Sequence, residues 1–337
     1  MPTTRLSFAI AAVFACSALA QTGKVIYLTH VETPQDLQEV TNVLRSIAEI
    51  RDVTPDPAKM SITVHGTADQ NALAQWLCGE MDRAAPQPAG TQQYTVPNSD
   101  IPIVQVFFMV QMNTPQFLQE AVNAVRSVAD IQRFFPYNRL HAVIARGSSE
   151  QAAVAGWLLS ELDTPAQQIQ TPVMHSRTVT LPYSERSGSV VQTFFLSHID
   201  NPYGMQEIVN LTRSIAEIQR LFPHNQRNVL VMRASPDQVA LADWMLTALD
   251  KPAFQGTAGA LEYKVPLSID RSNSVAQLVF LANPQQPQSA QELLSQIRTT
   301  TSIQRVFYDS ARNAVAMRGT GDQLARAEQL VKQRDKP

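Results

Sequence analysis

Apolar and polar positions change their period along the chain, and the change is clearest after residue 103. Residues 104–109 are β-branched and aromatic, a composition typical of a strand. Thr114 and Pro115 then provide a helix N-cap and a proline at the first helical position. The apolar residues that follow recur at spacings of three and four, which predicts one buried helix face. These residues are Leu118, Ala121, Val122, Val125, Val128 and Ala129.

The next 35 or so residues complete one structural unit. The apolar runs 131–135 and 142–145 predict two more strands, joined by turn residues at 136–139. A second helix is predicted to begin at Gly147 and Ser148, where the hydroxyl can cap the first turn, and to end at Asp163. The order strand, helix, strand, strand, helix predicts an α+β unit (βαββα) in which two helices pack on one face of a small mixed sheet.

This unit recurs four times. The sequence Arg-Ser-Ile-Ala-Glu-Ile at 45–50 returns unchanged at 213–218, with a close variant at 126–131 and a degenerate one from Arg298. The spacing of 81 to 87 residues exceeds the roughly 20–50 residues of a stacked solenoid repeat, so we expect tandem domains with separate cores. The predicted domains are repeat 1 (21–83), repeat 2 (92–165), repeat 3 (172–252) and repeat 4 (261–337).

The segments between repeats have two parts. Stretches ending in proline at 93–97, 178–182 and 262–266 predict an edge strand for the repeat that follows, since an edge tolerates the missing donor. The preceding segments are rich in Pro, Gly, Gln and Ala and are predicted to be hinges. Repeat 1 has no such leading strand, so its sheet is expected to be one strand short. The predicted hinges are 84–91, 166–171 and 253–260.

Two residue types recur in the last predicted helix of each repeat. Three repeats carry a tryptophan, and we predict that each indole packs onto the sheet of its own repeat. All four helices end at an aspartate. The tryptophans are Trp76, Trp157 and Trp244, and the aspartates are Asp82, Asp163, Asp250 and Asp335.

The amino terminus resembles an export signal. Arg5 precedes an apolar run at 6–14 that is too short to span a bilayer, and the small residues of 18–20 predict cleavage of a signal peptide, 1–20, before Gln21. A lipoprotein anchored at Cys16 is the alternative, although an aromatic residue shortly before it fits that processing poorly. The remaining chain has no run of eighteen apolar residues, so no transmembrane segment is expected in it.

Composition narrows the possible functions. Hydrophobic residues make up 44% and charged residues 17% of a chain with net charge −2, and loss of Arg5 makes this −3. Nothing in that balance favours a nucleic acid or an anionic membrane as partner. Cys78 would be the only cysteine after cleavage, so no disulfide can form within the chain and the thiol is expected to be a small buried residue.

Candidate chemistry is sparse. No two histidines have the spacing of a metal-ligand pair, and His30 and His198, which occupy equivalent positions, are matched by Gln111 in repeat 2. The chain contains neither a nucleophile elbow around a serine nor a phosphate-binding glycine loop. We therefore predict no catalytic, cofactor or metal site and no enzymatic activity. A hydrolase or small-ligand carrier using an interdomain groove is the alternative. The histidines are His30, His65, His141, His175, His198 and His224.

One arginine recurs six residues after a Gln-Glu pair in every repeat. A glutamate near the start of a helix and an arginine near its end complement the helix dipole, which indicates fold maintenance. Bridging between neighbouring repeats is the alternative role. These arginines are Arg45, Arg126, Arg213 and Arg298.

Adjacent phenylalanines give the best sequence hint of an interaction surface. Phe107–Phe108 and Phe194–Phe195 lie in predicted strands, where successive side chains face opposite ways. One member of each pair must therefore meet a covering element, a neighbouring repeat, a partner or water.

The repeat resembles a known domain. Residues 309–313 form an Asp-x-x-x-Asn turn, followed by an apolar strand ending at Gly319 and a helix ending at Asp335, and repeat 3 keeps Asn228 and Asp250. This order is similar to the short amino-terminal (NolW-like) ring domains of bacterial secretins. No long run of alternating strands follows, so the secretin pore domain is missing from the pattern. The resemblance implies a periplasmic or secreted, non-enzymatic protein-interaction or scaffolding protein of the cell envelope, whose partner is an envelope component or a second copy.

Overall fold

The computed structural model describes residues 22–165, 174–179, 189–199, 201–252, 258–272 and 274–335. The predicted signal peptide, its cleavage site, Cys16 and the hinge at 166–171 lie outside these residues. The chain divides into two compact units, the first ending at Gly79 and the second beginning at Glu80. The four predicted domain boundaries therefore stay predictions.

The first unit contains a three-stranded antiparallel sheet. Its order is β1-β3-β2, with Gly23 opposite His65 on one side of the central strand and Asp52 opposite His65 on the other. Among the described residues this sheet has one strand fewer than the others, as the sequence predicts. The elements are β1 (Thr22–Tyr27), α1 (Pro34–Ile47), β2 (Asp52–Asp56), β3 (Ser61–Gly66) and α2 (Ala68–Met81), which crosses the boundary between the units.

Among its described residues, the second unit contains three four-stranded sheets and six further α-helices. In repeat 2 these are β4 (Gly90–Thr95), β5 (Ile103–Phe108), α3 (Pro115–Ala129), β6 (Arg133–Tyr137), β7 (Ala142–Gly147) and α4 (Ser149–Leu162). In repeat 3 they are β8 (Met174–Val179), β9 (Ser189–Phe195), α5 (Pro202–Ile215), β10 (Arg220–His224), β11 (Val229–Ala234) and α6 (Pro236–Leu249). In repeat 4 they are β12 (Gly259–Lys264), β13 (Val275–Phe280), α7 (Pro287–Thr301), β14 (Arg305–Asp309), β15 (Ala314–Gly319) and α8 (Gly321–Arg334).

Every strand pair in the described residues is antiparallel, so the expectation of a mixed sheet is wrong. The sheets have the orders β4-β5-β7-β6, β8-β9-β11-β10 and β12-β13-β15-β14. In repeat 2, β7 lies between β5 and β6 and runs antiparallel to both. The strands β5 and β6, which the helix α3 connects, therefore run in the same direction without being neighbours.

The leading strands begin earlier than the sequence suggested. β4 starts at Gly90, inside the predicted hinge, because it pairs with β5 along its whole length from Gly90–Phe108 to Thr95–Ile103. Pro97 lies after the strand, where its missing donor costs no ladder hydrogen bond. The predicted edge position of these strands is confirmed.

The predicted helix caps are present. The Thr114 hydroxyl accepts a hydrogen bond from the Phe117 amide at 3.2 Å, with Pro115 as the first helical residue of α3. Ser148 and Gln151 form a reciprocal capping box at the start of α4. Each hydroxyl satisfies amides that have no partner within the helix, so these residues determine where the helices begin.

The recurring arginines maintain the fold of their own repeat. Arg45 Nη2 donates to the Val53 carbonyl at 2.7 Å, and Arg298 Nη2 donates to the Val306 carbonyl at 3.0 Å. Arg126 and Arg213 make the equivalent bonds. The side chain thus joins the first helix to the strand that follows it in the same repeat, and the alternative of bridging neighbouring repeats is wrong for these bonds.

Three of the recurring aspartates hold the loop before the first helix of their repeat. The Asp163 carboxylate accepts hydrogen bonds from the amides of Val110, Gln111 and Met112 at 2.7–3.2 Å. Asp250 and Asp335 do the same for the equivalent loops of repeats 3 and 4. A carboxylate that accepts several amide hydrogen bonds fixes the loop, because it provides acceptors for N–H groups that would otherwise lack partners.

Within the second unit the repeats share hydrophobic cores, so the expectation of separate cores is wrong there. α3 packs on its own β6 and also on β10 and β11 of repeat 3, and α5 packs in the same way on β14 and β15 of repeat 4. One apolar cluster accordingly joins Val125 and Leu158 of repeat 2 to Val191 and Phe195 of repeat 3. The reason is that both faces of each sheet are apolar, while the helices of one repeat cover only one face.

The tryptophans lie at the margins of these cores. Trp157 and Trp244 are half-buried, and the Trp244 ring packs against Tyr263 of β12, with centroids 5.4 Å apart. Trp244 packs against the cluster that contains Leu230 and Met232 of its own sheet, and its contact with Tyr263 is an addition that the sequence did not predict. In repeat 2, the helix α4 approaches its sheet through a smaller residue, since a Cβ on Gly156 would lie 3.3 Å from the Phe107 ring.

Candidate interaction surfaces

The polar residues of the second unit converge where one repeat meets the next. The first of these places, the 2–3 junction, is built around Asp130, which ends α3 in the left-handed conformation with φ 57°. Its Oδ2 accepts from Arg220 Nη1 at 2.5 Å and from Arg233 Nη1 at 2.6 Å. Arg233 is buried and also reaches the Val128 carbonyl at 3.3 Å. Two arginines of repeat 3 thus hold the carboxyl end of the first helix of repeat 2.

The 3–4 junction repeats this arrangement with one addition. Glu217, at φ 56°, stands in the place of Asp130 and pairs with Arg305, while Arg318 Nη1 donates to the Ile215 carbonyl at 2.7 Å. Arg318 also binds Asp270 at 3.0 Å. Hydrogen bonds from Ser272 are the main cause of the lowered pKa of Asp270, and Arg318 adds to them. Arg318, the buried arginine of this junction, therefore lies beside two carboxylates, those of Glu217 and Asp270.

A glutamate makes a second contact at each junction. Glu120 of α3 accepts a hydrogen bond from the Asn225 amide at 2.9 Å, in the turn after β10. Glu207 of α5 accepts from the Ser310 hydroxyl at 3.0 Å, in the turn after β14. The glutamate of the recurring Gln-Glu pair, rather than the arginine six residues later, therefore links neighbouring repeats. Its recurrence was visible in the sequence, but its partners are about one hundred residues away.

A buried titratable residue lies beside each glutamate. His224 ends β10 with no exposed surface, stands edge-on to the Phe117 ring at 5.0 Å, and has its Nδ1 3.7 Å from Glu120 Oε2. Burial lowers the pKa of His224 to about 4, although the charge of Glu120 opposes this shift.

Asp309 occupies the equivalent position at the end of β14. It is also fully buried, and this burial raises its pKa, with Arg312 acting in the opposite direction. Burial raises the pKa of the neighbouring Glu207 as well. The same structural position therefore holds a base, His224, at the 2–3 junction and an acid, Asp309, at the 3–4 junction.

The paired phenylalanines are internal. Phe107, Phe108, Phe194 and Phe195 are only 2–3% exposed. Phe195 packs into the core of repeat 2, so a neighbouring repeat covers this member of the pair. Phe108 is covered by the Arg83 guanidinium, 5.2 Å from the ring centroid. These side chains do not form a free docking surface.

An exposed apolar pair lies instead on β1 of the first unit. Val25 is 50% and Tyr27 is 66% exposed, and the alternation of the strand places both on one face of the sheet. The residues at the same register positions in repeat 3 are Thr193 and Phe195, at 0% and 3%. The face that is covered in repeat 3 is therefore open in repeat 1.

A cavity of about 490 Å³ lies beside the Asp130–Arg220 pair of the 2–3 junction. Three arginines and one aspartate line it, and Arg146 is held in place by the Ile101 carbonyl at 3.1 Å. Its lining residues are Ile101, Asp130, Gln132, Arg133, Arg146, Gln151 and Arg220.

The remaining chemical candidates lie apart from each other. His198 caps a loop, since its amide and its ring both contact Asp250, at 2.8 and 3.1 Å. Cys78 is buried. Among the described residues no three His, Cys, Asp or Glu side chains lie close enough to hold a metal ion, and no helix is long and apolar enough to cross a membrane.

Comparison with known proteins returned structural matches only. No family model matches the chain, and no curated protein is significantly similar to it. Solved structures with similarity include Aeromonas hydrophila ExeD, at 14% identity over 72% of this chain and 43% of that one, with a TM-score of 0.17. The N-terminal domain of the secretin XcpQ from Pseudomonas aeruginosa matches at 13% identity over 42% of this chain and 62% of that one, with a TM-score of 0.18.

A third match, the structure titled XcpQN012, has 12% identity and a TM-score of 0.21, and covers 74% of this chain and all of the other. The chain spans less than half the length of ExeD. At TM-scores this low the matches carry no conclusion about the fold or the activity of this chain.

Proposed function

We propose that the protein is an exported, non-enzymatic interaction or scaffolding component of the cell envelope, built from four secretin-N-like domains. The observation that supports this most is the use of recurring polar residues. Asp130 and Glu217, with their arginine partners, join one repeat to the next. These contacts hold consecutive repeats together, which is the arrangement expected of a binding scaffold.

Export and location rest on the amino-terminal pattern alone. We propose cleavage before Gln21 and a periplasmic or secreted mature protein. The intact mass of protein purified from an exporting host should correspond to a chain that begins at Gln21. A diacylglyceryl group on Cys16 at the amino terminus would show that the protein is a lipoprotein instead.

The interaction role is tested by cross-linking in the exporting host. Purification of the mature chain after treatment with a short amine- or carboxyl-reactive cross-linker should return one envelope protein, or a second copy, reproducibly and in a defined ratio. Cells that carry the same chain without residues 1–20 provide the control for contacts made in the wrong compartment. A chain that stays monomeric and uncross-linked in the exported form would contradict the proposal.

The cavity beside Arg133 supports a second candidate, a carrier for a small anionic ligand. Arginine side chains line the cavity, and a guanidinium group is a good partner for a carboxylate or a phosphate. Calorimetric titration with citrate and with inorganic phosphate tests this. Saturable binding that is lost in Arg133→Met, together with absent cross-links, would favour the carrier over the scaffold.

A further inference from the structure

The sheets of repeats 3 and 4 show how the sheet of one repeat binds a helix. In each, the outer face is covered by the first helix of the preceding repeat, α3 on β10 and β11, and α5 on β14 and β15. The covering is close to complete, since Thr193 and Leu278 at the centre of the two faces are fully buried. The described part of the chain therefore contains two cases, in repeats 3 and 4, of a helix docked on this sheet face.

The corresponding face in repeat 1 has the shape for such a helix but remains open. Gly23, Val25 and Tyr27 stand where repeat 4 has Ala276, Leu278 and Phe280. Tyr27 is 66% exposed, whereas its counterpart Phe195 in repeat 3 is 3% exposed. An apolar pair with an aromatic tip on an open face is the kind of anchor that protein interfaces use.

The charge at the corner of this face is reversed. In repeats 3 and 4 the corner holds two arginines facing each other across β10–β11 and β14–β15, and both bind an acid at the end of the docked helix. In repeat 1 the same two positions hold Asp52 and His65, also directly opposite each other and 3.1 Å apart. A helix that ends in an acid would meet Asp52, which is 62% exposed.

Asp52 and His65, which form this corner, lie on the outer face of the sheet. The His65 ring lies over Gly23, since a Cβ on that glycine would come within 2.8 Å of His65 Nε2. Only glycine leaves room for the ring there. Asp52 and His65 are therefore held beside Val25 and Tyr27 rather than pointing away from them.

The first helix of repeat 4, α7, does not fit this face. It packs on its own strand β14, and a second copy could offer it to the sheet of repeat 1. However, Gln296 and Thr300 are exposed where α5 has Leu211 and Ile215, and Ser302 replaces the acid Glu217. Polar residues at the contact positions and the absence of a charged end argue against a head-to-tail contact between copies.

We infer that the outer face of the sheet β1-β3-β2 docks an amphipathic helix of a partner protein that carries Lys or Arg at the position where α3 carries Asp130. This inference rests on the proposed interaction function and names the chemistry of its partner. A basic end on the partner helix pairs with Asp52 and complements the helix dipole. Its apolar stripe packs on Val25 and Tyr27.

The probe is a stapled peptide with the sequence of residues 114–131, prepared with the native Asp130 and with Asp130→Lys. Fluorescence anisotropy measures its binding to the full mature chain. The Lys peptide should bind about two- to fivefold more tightly, the range expected of one exposed ion pair. In the chain variant Asp52→Arg, the native peptide should become the tighter ligand.

The apolar part of the inference has its own variant. Tyr27→Ser should weaken both peptides about tenfold while leaving the melting temperature unchanged, because the ring is mostly exposed. Leu267→Ser, at a position 63% exposed in the second unit, is the matched control and should not change binding. Equal affinity of the two peptides, an unchanged order in Asp52→Arg, or no effect of Tyr27→Ser would each overturn the inference.

Two further outcomes separate the alternatives. If the chain alone forms a dimer in sedimentation that Tyr27→Ser abolishes, the occupant is a second copy and the inference is wrong. If the peptides fail while cross-linking in the exporting host succeeds, the docking surface is wrong and the proposed function stands. Peptide discrimination without any cross-linked product would leave the docking chemistry intact and remove the proposed envelope role.

Discussion

The 2–3 and 3–4 junctions share one set of contacts but differ in the buried residues beside those contacts. In both, the first helix of one repeat ends in an acid held by two arginines of the next sheet, and a glutamate on that helix reaches the turn after β10 or β14. The 2–3 junction adds His224 against Phe117. The 3–4 junction places Asp309 at that position and gives Arg318 a second carboxylate, Asp270.

The comparison indicates that the helix-on-sheet contact and the ion pairs determine how repeats join, while the buried residue beside them determines the response to pH. His224 is neutral because burial disfavours its charged form. Asp309 also resists ionisation, for the same reason. One position can therefore hold a base or an acid, and in both cases burial disfavours the charged form.

The largest expected effect comes from removing the aromatic ring that joins repeats 2 and 3. Phe195→Ala should lower the free energy of unfolding by about 3–5 kcal/mol, because the ring is fully packed in the shared core. Phe280→Ala, the matched change at the 3–4 junction, should cost less, since Phe280 is only half-buried. Urea denaturation measures both.

Hydrogen exchange locates the loss. Protection should fall in α3 as well as in repeat 3, since the cluster spans both. If protection fell in repeat 3 alone, the shared core would not couple the repeats energetically.

The next effect is the pH dependence of the 2–3 junction. The pKa of His224 is about 4 in the folded chain and near 6.5 when unfolded, so between these values the unfolded state binds the proton. The contribution is fully present above pH 6.5 and is lost as pH falls towards 4, by up to about 3 kcal/mol. Denaturation midpoints across this range measure it.

The control uses the residue that repeat 2 carries at this position. His224→Tyr, which copies Tyr137, should abolish this part of the pH slope. Asp309→Asn should change the slope in the opposite sense, because a raised carboxyl pKa favours the folded state as the pH falls. An unchanged slope in His224→Tyr would show that His224 ionises without cost in the folded chain.

A smaller difference is expected between the two helix-end acids. Asp130→Asn leaves the buried Arg233 without its carboxylate and should cost about 2 kcal/mol. Glu217→Gln should cost about half as much, since Arg318 keeps Asp270 at 3.0 Å. Asparagine also tolerates the left-handed conformation, so the backbone is not the cause. Equal losses in the two variants, measured by urea denaturation, would contradict the role of Asp270.

The smallest effect concerns a further contact between repeats 3 and 4, the packing of Trp244 on Tyr263. A double-mutant cycle with Trp244→Leu and Tyr263→Leu should give a coupling energy of about 0.5–1.5 kcal/mol. Trp157→Leu combined with Tyr263→Leu is the control, because these residues belong to repeats that are not consecutive. Additive losses at Trp244 and Tyr263 would mean that the rings touch without stabilising each other.

Sequence reasoning succeeded where the physics is local. The cap at Thr114 and the helical spacing of Leu118 to Val128 depend on residues three or four apart, and both were predictable. It failed for the contacts that the glutamates and Trp244 make with another repeat. Glu120 has the same neighbours in sequence whether it faces water or Asn225, so only the packed structure identifies its role.

By itself, the sequence determined the repeat, the order of strands and helices, the helix ends and the short first sheet. These follow from period, capping and the letter-for-letter recurrence of Arg-Ser-Ile-Ala-Glu-Ile. Only the tertiary structure decided that the cores of the second unit are shared, that Phe195 is covered, and that Tyr27 is open. A strand has two faces with one alternating pattern, and which face meets a neighbouring helix depends on distant residues that pattern alone does not bring together.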